Sequence, residues 1–176
     1  MDFSARGKFS LKNTGETLPA GAPRSVTASF AWHQIGDRYR VEVWGALGQG
    51  RVQMTGDEQW MQLSRGDRAL AAGPPAEVMR SNLGWSLPVA TVPSWLRGEP
   101  LQAATPLATV STEPLVRVLD EGGWRVEFSR YREPASALEE VGDGVDGAAP
   151  AAIVPGRITA VNDGRRITVV VREFLQ

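Results

Sequence analysis

The feature that most limits what this chain can fold into is alternation. From Phe3 to Lys12, apolar and polar residues trade places at every step. Phe3, Ala5, Gly7, Phe9 and Leu11 fall on one side, and Ser4, Arg6, Lys8, Ser10 and Lys12 on the other. A period of two is that of a strand with one buried face, because successive side chains leave opposite faces of a sheet. The pattern returns from Ser25 to Gln34, where Val26, Ala28, Phe30 and Trp32 oppose Ser25, Thr27, Ser29 and His33. It returns again where Tyr39, Val41 and Val43 oppose Arg38, Arg40 and Glu42. Shorter strands are expected at Arg51 to Thr55, Gln59 to Ser64 and Arg68 to Ala72. Trp124 to Ser129, Ile153 to Val161 and Arg165 to Phe174 follow later in the chain. The links are short and turn-forming, Ile35-Gly36-Asp37, Gly56-Asp57, Arg65-Gly66-Asp67 and Asn162-Asp163-Gly164 among them. The expectation is an antiparallel meander with one apolar and one wet face.

The period changes at Pro74-Pro75. Ala76, Met79 and Leu83 recur at helical spacing and Gly84 supplies a stop. A second short helix is expected from Pro88, in its first turn, through Val89, Val92 and Leu96 to Gly98, with Pro93 kinking or shortening it. Leu101 to Pro114 is a polar, proline-punctuated connection, and Glu133 to Pro150 is a surface loop rich in Ala, Gly and acids. No repeat and no boundary interrupts the chain, so residues 1–176 are expected to form one domain.

Two short helices cannot cover a sheet of this many strands, since a helix is only about 10–12 Å across. Such a sheet curls on itself or leaves apolar surface open. Its apolar face carries Phe9, Phe30, Trp32, Trp124 and Phe128, and the helical segments add Trp85 and Trp95. The pattern is equally consistent with aromatics that fill a barrel core and with a lidded cavity for an apolar ligand.

After Val43-Trp44 the strand pattern stops at Gly45-Ala46-Leu47-Gly48-Gln49-Gly50. Glycines here allow a turn with unusual backbone angles. Leu47 then either folds back into the core or points outward.

Chemistry-bearing constellations are scarce. The formal net charge of −1 creates no bulk field for nucleic acid or for an anionic membrane. There is no cysteine, hence no disulfide and no thiolate metal site. The single histidine, His33, falls on the wet face. No G-x-S-x-G elbow occurs. Gly45, Gly48 and Gly50 have the wrong order for a nucleotide loop and lead into a strand. Glu139, Glu140, Asp143 and Asp146 are too sparse for calcium. Arg130 and Arg132 around Tyr131 lack the basic surround of a nucleic-acid patch. No run of about 18 apolar residues exists. Met1 to Arg6 has no apolar signal core, so any export signal or anchor is expected to lie outside these residues. The residues point to a binding protein for something apolar, with no enzymatic activity, no cofactor and no metal.

An ordered set of short motifs resembles the LolB family of outer-membrane lipoprotein receptors. It comprises Ala5-Arg6-Gly7-Lys8-Phe9, Ser29-Phe30-Ala31-Trp32, Gly36-Asp37-Arg38-Tyr39-Arg40 and Ala46-Leu47-Gly48. Leu83-Gly84-Trp85-Ser86-Leu87-Pro88-Val89, Trp95-Leu96-Arg97-Gly98-Glu99-Pro100 and Gly123-Trp124 complete it. The resemblance implies an unclosed antiparallel β-barrel with a short α-helical lid, enclosing an apolar cavity for acyl chains. The expected lining is Phe9, Phe30, Trp32, Val41, Val43, Met79, Trp85, Leu87, Val92, Trp95, Leu96, Trp124, Val126 and Phe128. It implies delivery of acylated lipoproteins, received from a LolA-type periplasmic carrier, into outer-membrane phospholipid by a monomer lipid-anchored on the periplasmic face. The loop Gly45, Ala46, Leu47 and Gly48 would carry out that delivery. A periplasmic carrier or sensor of free lipids or fatty acids is the alternative. The sequence departs from the family in lacking the lipidated cysteine, in Ala46 where Pro is usual and in ending its last strand at Phe174. Its acidic Glu139 to Gly147 segment is also longer.

Overall fold

The computed structural model describes residues 2–15, 18, 21–99, 117–121, 123–133, 153–162 and 164–176. The expected connection at Leu101 to Pro114 and the acidic segment from Glu139 to Gly147 lie outside them. Among the described residues ten strands form one sheet: β1 (Phe3–Asn13), β2 (Ser25–Ile35), β3 (Arg38–Trp44), β4 (Val52–Gly56), β5 (Met61–Arg65), β6 (Arg68–Gly73), β7 (Arg117–Glu121), β8 (Trp124–Arg132), β9 (Val154–Asn162) and β10 (Arg165–Leu175). Two helices, α1 (Pro75–Leu83) and α2 (Val92–Arg97), lie between β6 and β7 in the chain.

The spatial order is β6-β5-β4-β3-β2-β1-β10-β9-β8-β7, antiparallel at every pairing. Two meanders therefore meet at the β1–β10 seam, and among the described residues β6 and β7 are unjoined edges. The sheet is an unclosed barrel, as expected. Gly7 sits at the seam beside a bulge, and a Cβ there would stand 2.0 Å from the Val170 carbonyl oxygen. Only glycine lets the two backbones approach this closely.

The alternation resolves into burial as the period predicts. Phe3, Ala5, Phe9 and Leu11 of β1 are buried, as are Ala28, Phe30 and Trp32 of β2 and Tyr39, Val41 and Val43 of β3. Helix α1 packs on β5 and β6, and α2 on β9. The two helices thus close over the concave face from opposite halves. Trp95 of α2 meets Trp124 edge-on at 5.7 Å, Trp85 meets Phe9 at 5.4 Å, and Phe3 stacks on Phe174 at 5.2 Å.

Three elements differ from expectation. The second helix begins at Val92 rather than at Pro88. Pro93 has no N–H and fits only a first turn, so the carbonyl of Pro88 instead accepts from Thr91 and Val92 in a preceding turn. Strand β5 starts at Met61 because Gln59 and Trp60 belong to a turn, where the Asp57 carboxylate accepts both their N–H groups at 2.9 Å. Strand β7 is not among the expected strands; it pairs antiparallel with β8.

The registers give the sheet two distinct ends. The turns after β3, β5, β7 and β9, together with the β1–β2 connection, lie at one end. The β2–β3 and β4–β5 turns lie at the other.

Candidate functional site

The backbone between β3 and β4 makes one tight turn at Ala46–Gly48. Gly45 N–H donates to the Gln49 carbonyl at 2.8 Å and closes its base. Arg51 braces the exit, with its guanidinium 4.6 Å above the Trp44 ring and 2.9 Å from the Glu42 carboxylate. At the tip, Leu47 adopts φ 57° and ψ 23° and is 98% exposed. Of the two destinations open to it, Leu47 takes the outward one. A left-handed conformation costs an ordinary residue roughly 1–2 kcal/mol. This leucine therefore carries a backbone cost with no compensating burial in the fold.

The residues expected to line a cavity are brought together. Phe9, Phe30, Trp32, Val41, Val43, Met79, Trp85, Val92, Trp95, Leu96, Trp124, Val126 and Phe128 belong to one buried cluster, and Leu87 packs half-buried against it. They interlock between the concave face and the two helices.

Within this apolar cluster two polar atoms stand out. Trp95 Nε1 and Tyr39 Oη are buried with no hydrogen-bond partner. Trp32 Nε1, by contrast, donates to Gln34 Oε1 at 2.9 Å. Burial raises the Tyr39 pKa well above that of an ordinary phenol, with Asp57 adding to the effect. The hydroxyl therefore stays protonated and is an unused donor, as is the indole N–H. His33 has an ordinary role on the wet face, 2.9 Å from the Ser4 hydroxyl.

A groove of about 700 Å³ opens where the C-terminus of α1 meets β1 and the β9–β10 turn. Its walls include Leu11, Leu18, Leu83 and Trp85, beside polar Asn13, Arg80, Asn82 and Arg165. Trp85 belongs to both the groove wall and the buried cluster. The Arg165 guanidinium lies 5.5 Å from the Trp124 ring and donates to Ser86 Oγ at 3.4 Å. Gly84, left-handed at φ 74°, ends α1 and turns the chain toward Trp85. Leu11, Asn13 and Arg165 belong to the Leu47 end of the sheet. The groove combines an apolar wall with polar and cationic edges, which suits an amphiphile. Apart from Trp85, its lining was not anticipated from sequence. The residues come from four segments, and only the fold brings them together. Among the described residues, no group of acids and histidine could hold a metal. No helix among them is long and apolar enough to cross a membrane.

The family profile described as "Outer membrane lipoprotein LolB" matches residues 1–174. Outer-membrane lipoprotein LolB of Coxiella burnetii is 30% identical over 126 residues, covering 71% of this chain and 56% of that protein. The protein of that name from Cellvibrio japonicus is 29% identical over 153 residues, covering 85% and 70%. Its Pseudomonas aeruginosa counterpart is 32% identical over 114 residues, covering 64% and 56%. The chain thus spans just over half the length of the Coxiella and Pseudomonas relatives.

Proposed function

This chain belongs to the LolB family of outer-membrane lipoproteins, and on that footing we propose that it receives the acyl chains of lipoproteins and passes them into the outer membrane. The donor in this reading is a LolA-type periplasmic carrier, and the site of action is the periplasmic face of the outer membrane. The observation that carries the proposal is a coincidence of place. The outward Leu47 and the amphiphile-shaped groove beside Trp85 occupy the same end of the sheet.

The physical chemistry of the transfer follows from burial. Each methylene removed from water is worth about 0.8 kcal/mol, so one chain of some fifteen methylenes carries roughly 12 kcal/mol. Leaving a carrier through water would expose that amount. A protein that admits the chain between its helices and its sheet removes most of this barrier. Entry parts the side chains of Met79, Val92, Trp95 and Leu96 from Phe9, Trp124 and Phe128, and apolar cargo replaces apolar neighbours at little net cost. The polar edge of the groove, Asn13, Asn82 and Arg165, holds the head of the lipoprotein in water. Because the space opened between helices and sheet and the bilayer core are both apolar, the last step is small and runs without nucleotide.

Leu47 acts in this last step. Its insertion contributes about 1.5–3 kcal/mol, too little to anchor a protein but enough to orient the groove toward lipid. The test is Leu47→Glu, scored for binding of an acylated fluorophore and for incorporation of a triacylated lipopeptide into liposomes. The expected result is unchanged binding with impaired incorporation. Lost binding with normal incorporation would refute the role. Competition by triacylated lipopeptide, its unacylated form and a free fatty acid identifies the cargo. Preference for the free fatty acid would favour a carrier of free lipids instead.

A further inference from the structure

The wet face of the sheet carries a second feature, on the other side of β1 and β10 from the groove. In register across four strands, Thr27, Ser10, Thr168 and Thr159 form a row of hydroxyls. Lys8 and Arg157 flank it on one side, both level with Val170, and Lys12 and Arg166 on the other. These cations and the first three hydroxyls line a shallow groove of about 380 Å³. Among the described residues none of the four cations is in an ion pair, although Arg6, Arg51, Arg97 and Arg125 all are. The nearest acids by register are Glu127 of β8, opposite Thr159 at the far end of the row, and Glu173 of β10, which is opposite Arg6 and paired with it.

Two facts bear on what this patch meets, although the first recurs where Arg65 of β5 pairs with Arg68 of β6. First, Lys12 and Arg166 are direct cross-strand partners. Like charges placed directly opposite one another destabilise a sheet, and a chain of net charge −1 has acids enough to avoid this. Second, the pair lies at the Leu47 end. Lys8 and Trp44 both pair with Ser29, so they share one level. Lys12 is four residues further along, about 13 Å at the strand rise, in the direction in which the Leu47 turn projects.

We propose that Lys8, Lys12, Arg157 and Arg166 form a docking face for the anionic headgroups of the membrane into which Leu47 projects. The hydroxyl row donates to phosphate oxygens while the cations neutralise them. The cost of the like-charge pair is offset only when that surface is present. This inference rests on the reading that the Leu47 turn meets a bilayer, which selects lipid over a soluble anion.

The test is co-sedimentation with phosphatidylethanolamine vesicles, with and without phosphatidylglycerol. It compares the unmodified chain, Lys12→Gln/Arg166→Gln and Arg38→Gln/Arg40→Gln, the last removing exposed cations at the opposite end. Phosphatidylglycerol is expected to increase binding of the unmodified chain. The Lys12/Arg166 variant should lose about twenty-five-fold of that increase, at about fivefold per cation, while the Arg38/Arg40 variant keeps it. The thermal midpoint of the Lys12/Arg166 variant should not fall. An increase that survives loss of Lys12 and Arg166 would overturn the proposal. So would equal loss in the Arg38/Arg40 variant, or displacement by inorganic phosphate beyond that by chloride at equal ionic strength. Retained vesicle binding with lost binding of an acidic protein would assign the face to that protein instead. The underlying reading fails separately: Leu47→Glu should impair lipopeptide incorporation on both vesicle types, whereas the patch variant affects only the phosphatidylglycerol-dependent part.

Discussion

Replacing Leu47 with Asn should move stability and delivery in opposite directions. The residue is left-handed and 98% exposed, so in the folded protein it pays for a conformation without gaining burial. Asn tolerates that conformation far better, and unlike glycine it adds little freedom to the unfolded chain. Recovering about half of a 1–2 kcal/mol penalty predicts a gain of about 0.5–1 kcal/mol. In a chain of this length that raises the melting midpoint by roughly 1–4 °C. The same change removes an apolar side chain worth about 1.5–3 kcal/mol on entering lipid, so delivery should fall by roughly 10- to 150-fold if the tip contributes fully. Thermal melting and urea titration give the first quantity, and initial rates of lipopeptide incorporation into liposomes give the second. A clear loss of stability would refute the premise that Leu47 has no partner in the fold. A gain in stability with normal delivery would refute its role at the membrane.

Gly7→Ala should be among the most damaging single changes, costing more than about 3 kcal/mol in urea titration, since its Cβ would lie 2.0 Å from the Val170 carbonyl oxygen. Tyr39→Phe should hold or raise stability by up to about 1 kcal/mol, because it deletes a buried hydroxyl without a partner. The folded-state pKa of Tyr39 is raised, so the stability it supports is present below the unfolded value of about 10 and is lost as pH climbs above it. Alkaline denaturation monitored by circular dichroism should therefore shift to higher pH in the Phe variant. Asp57 behaves in the opposite sense. Backbone N–H groups of Trp60 and Gln59 lower its pKa, so its contribution is present at neutral pH and lost as pH falls from its unfolded value through the folded one. Asp57→Ala should flatten that acid limb.

The sheet was legible because burial on one face forces an alternation that survives in Phe3 to Lys12 and Ser25 to Gln34 with hardly an exception. Helix α2 was less so because proline has two permitted positions near a helix start, and Pro88 and Pro93 compete for them. Strand β7 shows no alternation, because its two apolar residues, Val118 and Leu119, are adjacent in the sequence. Leu47 could be singled out by its glycine frame, but its direction depends on backbone angles that the residue type does not state. The groove beside Trp85 and the basic face were hidden for a different reason. Both are products of the seam, which sets Leu11 near Arg165 and Lys12 beside Arg166, and no local pattern reveals which distant strands will pair.

That seam also governs the order of assembly. Apart from the β1–β10 seam, strands pair only with sequence neighbours, β1 to β6 in one meander and β7 to β10 in the other. The connections within each meander, at most the twenty-one residues between β8 and β9, are far shorter than the span from β1 to β10, so each meander forms at lower entropic cost. The pairing of β1 with β10, from Asn13–Arg165 to Ser4–Leu175, closes almost the whole chain into a loop and must await synthesis of the last strand. Refolding should therefore pass through a stage in which hydrogen exchange is slowed within each meander while amides facing the seam still exchange. Until the seam forms, neither the Trp85 groove nor the cationic face exists, so these two surfaces arise together in the last cooperative step.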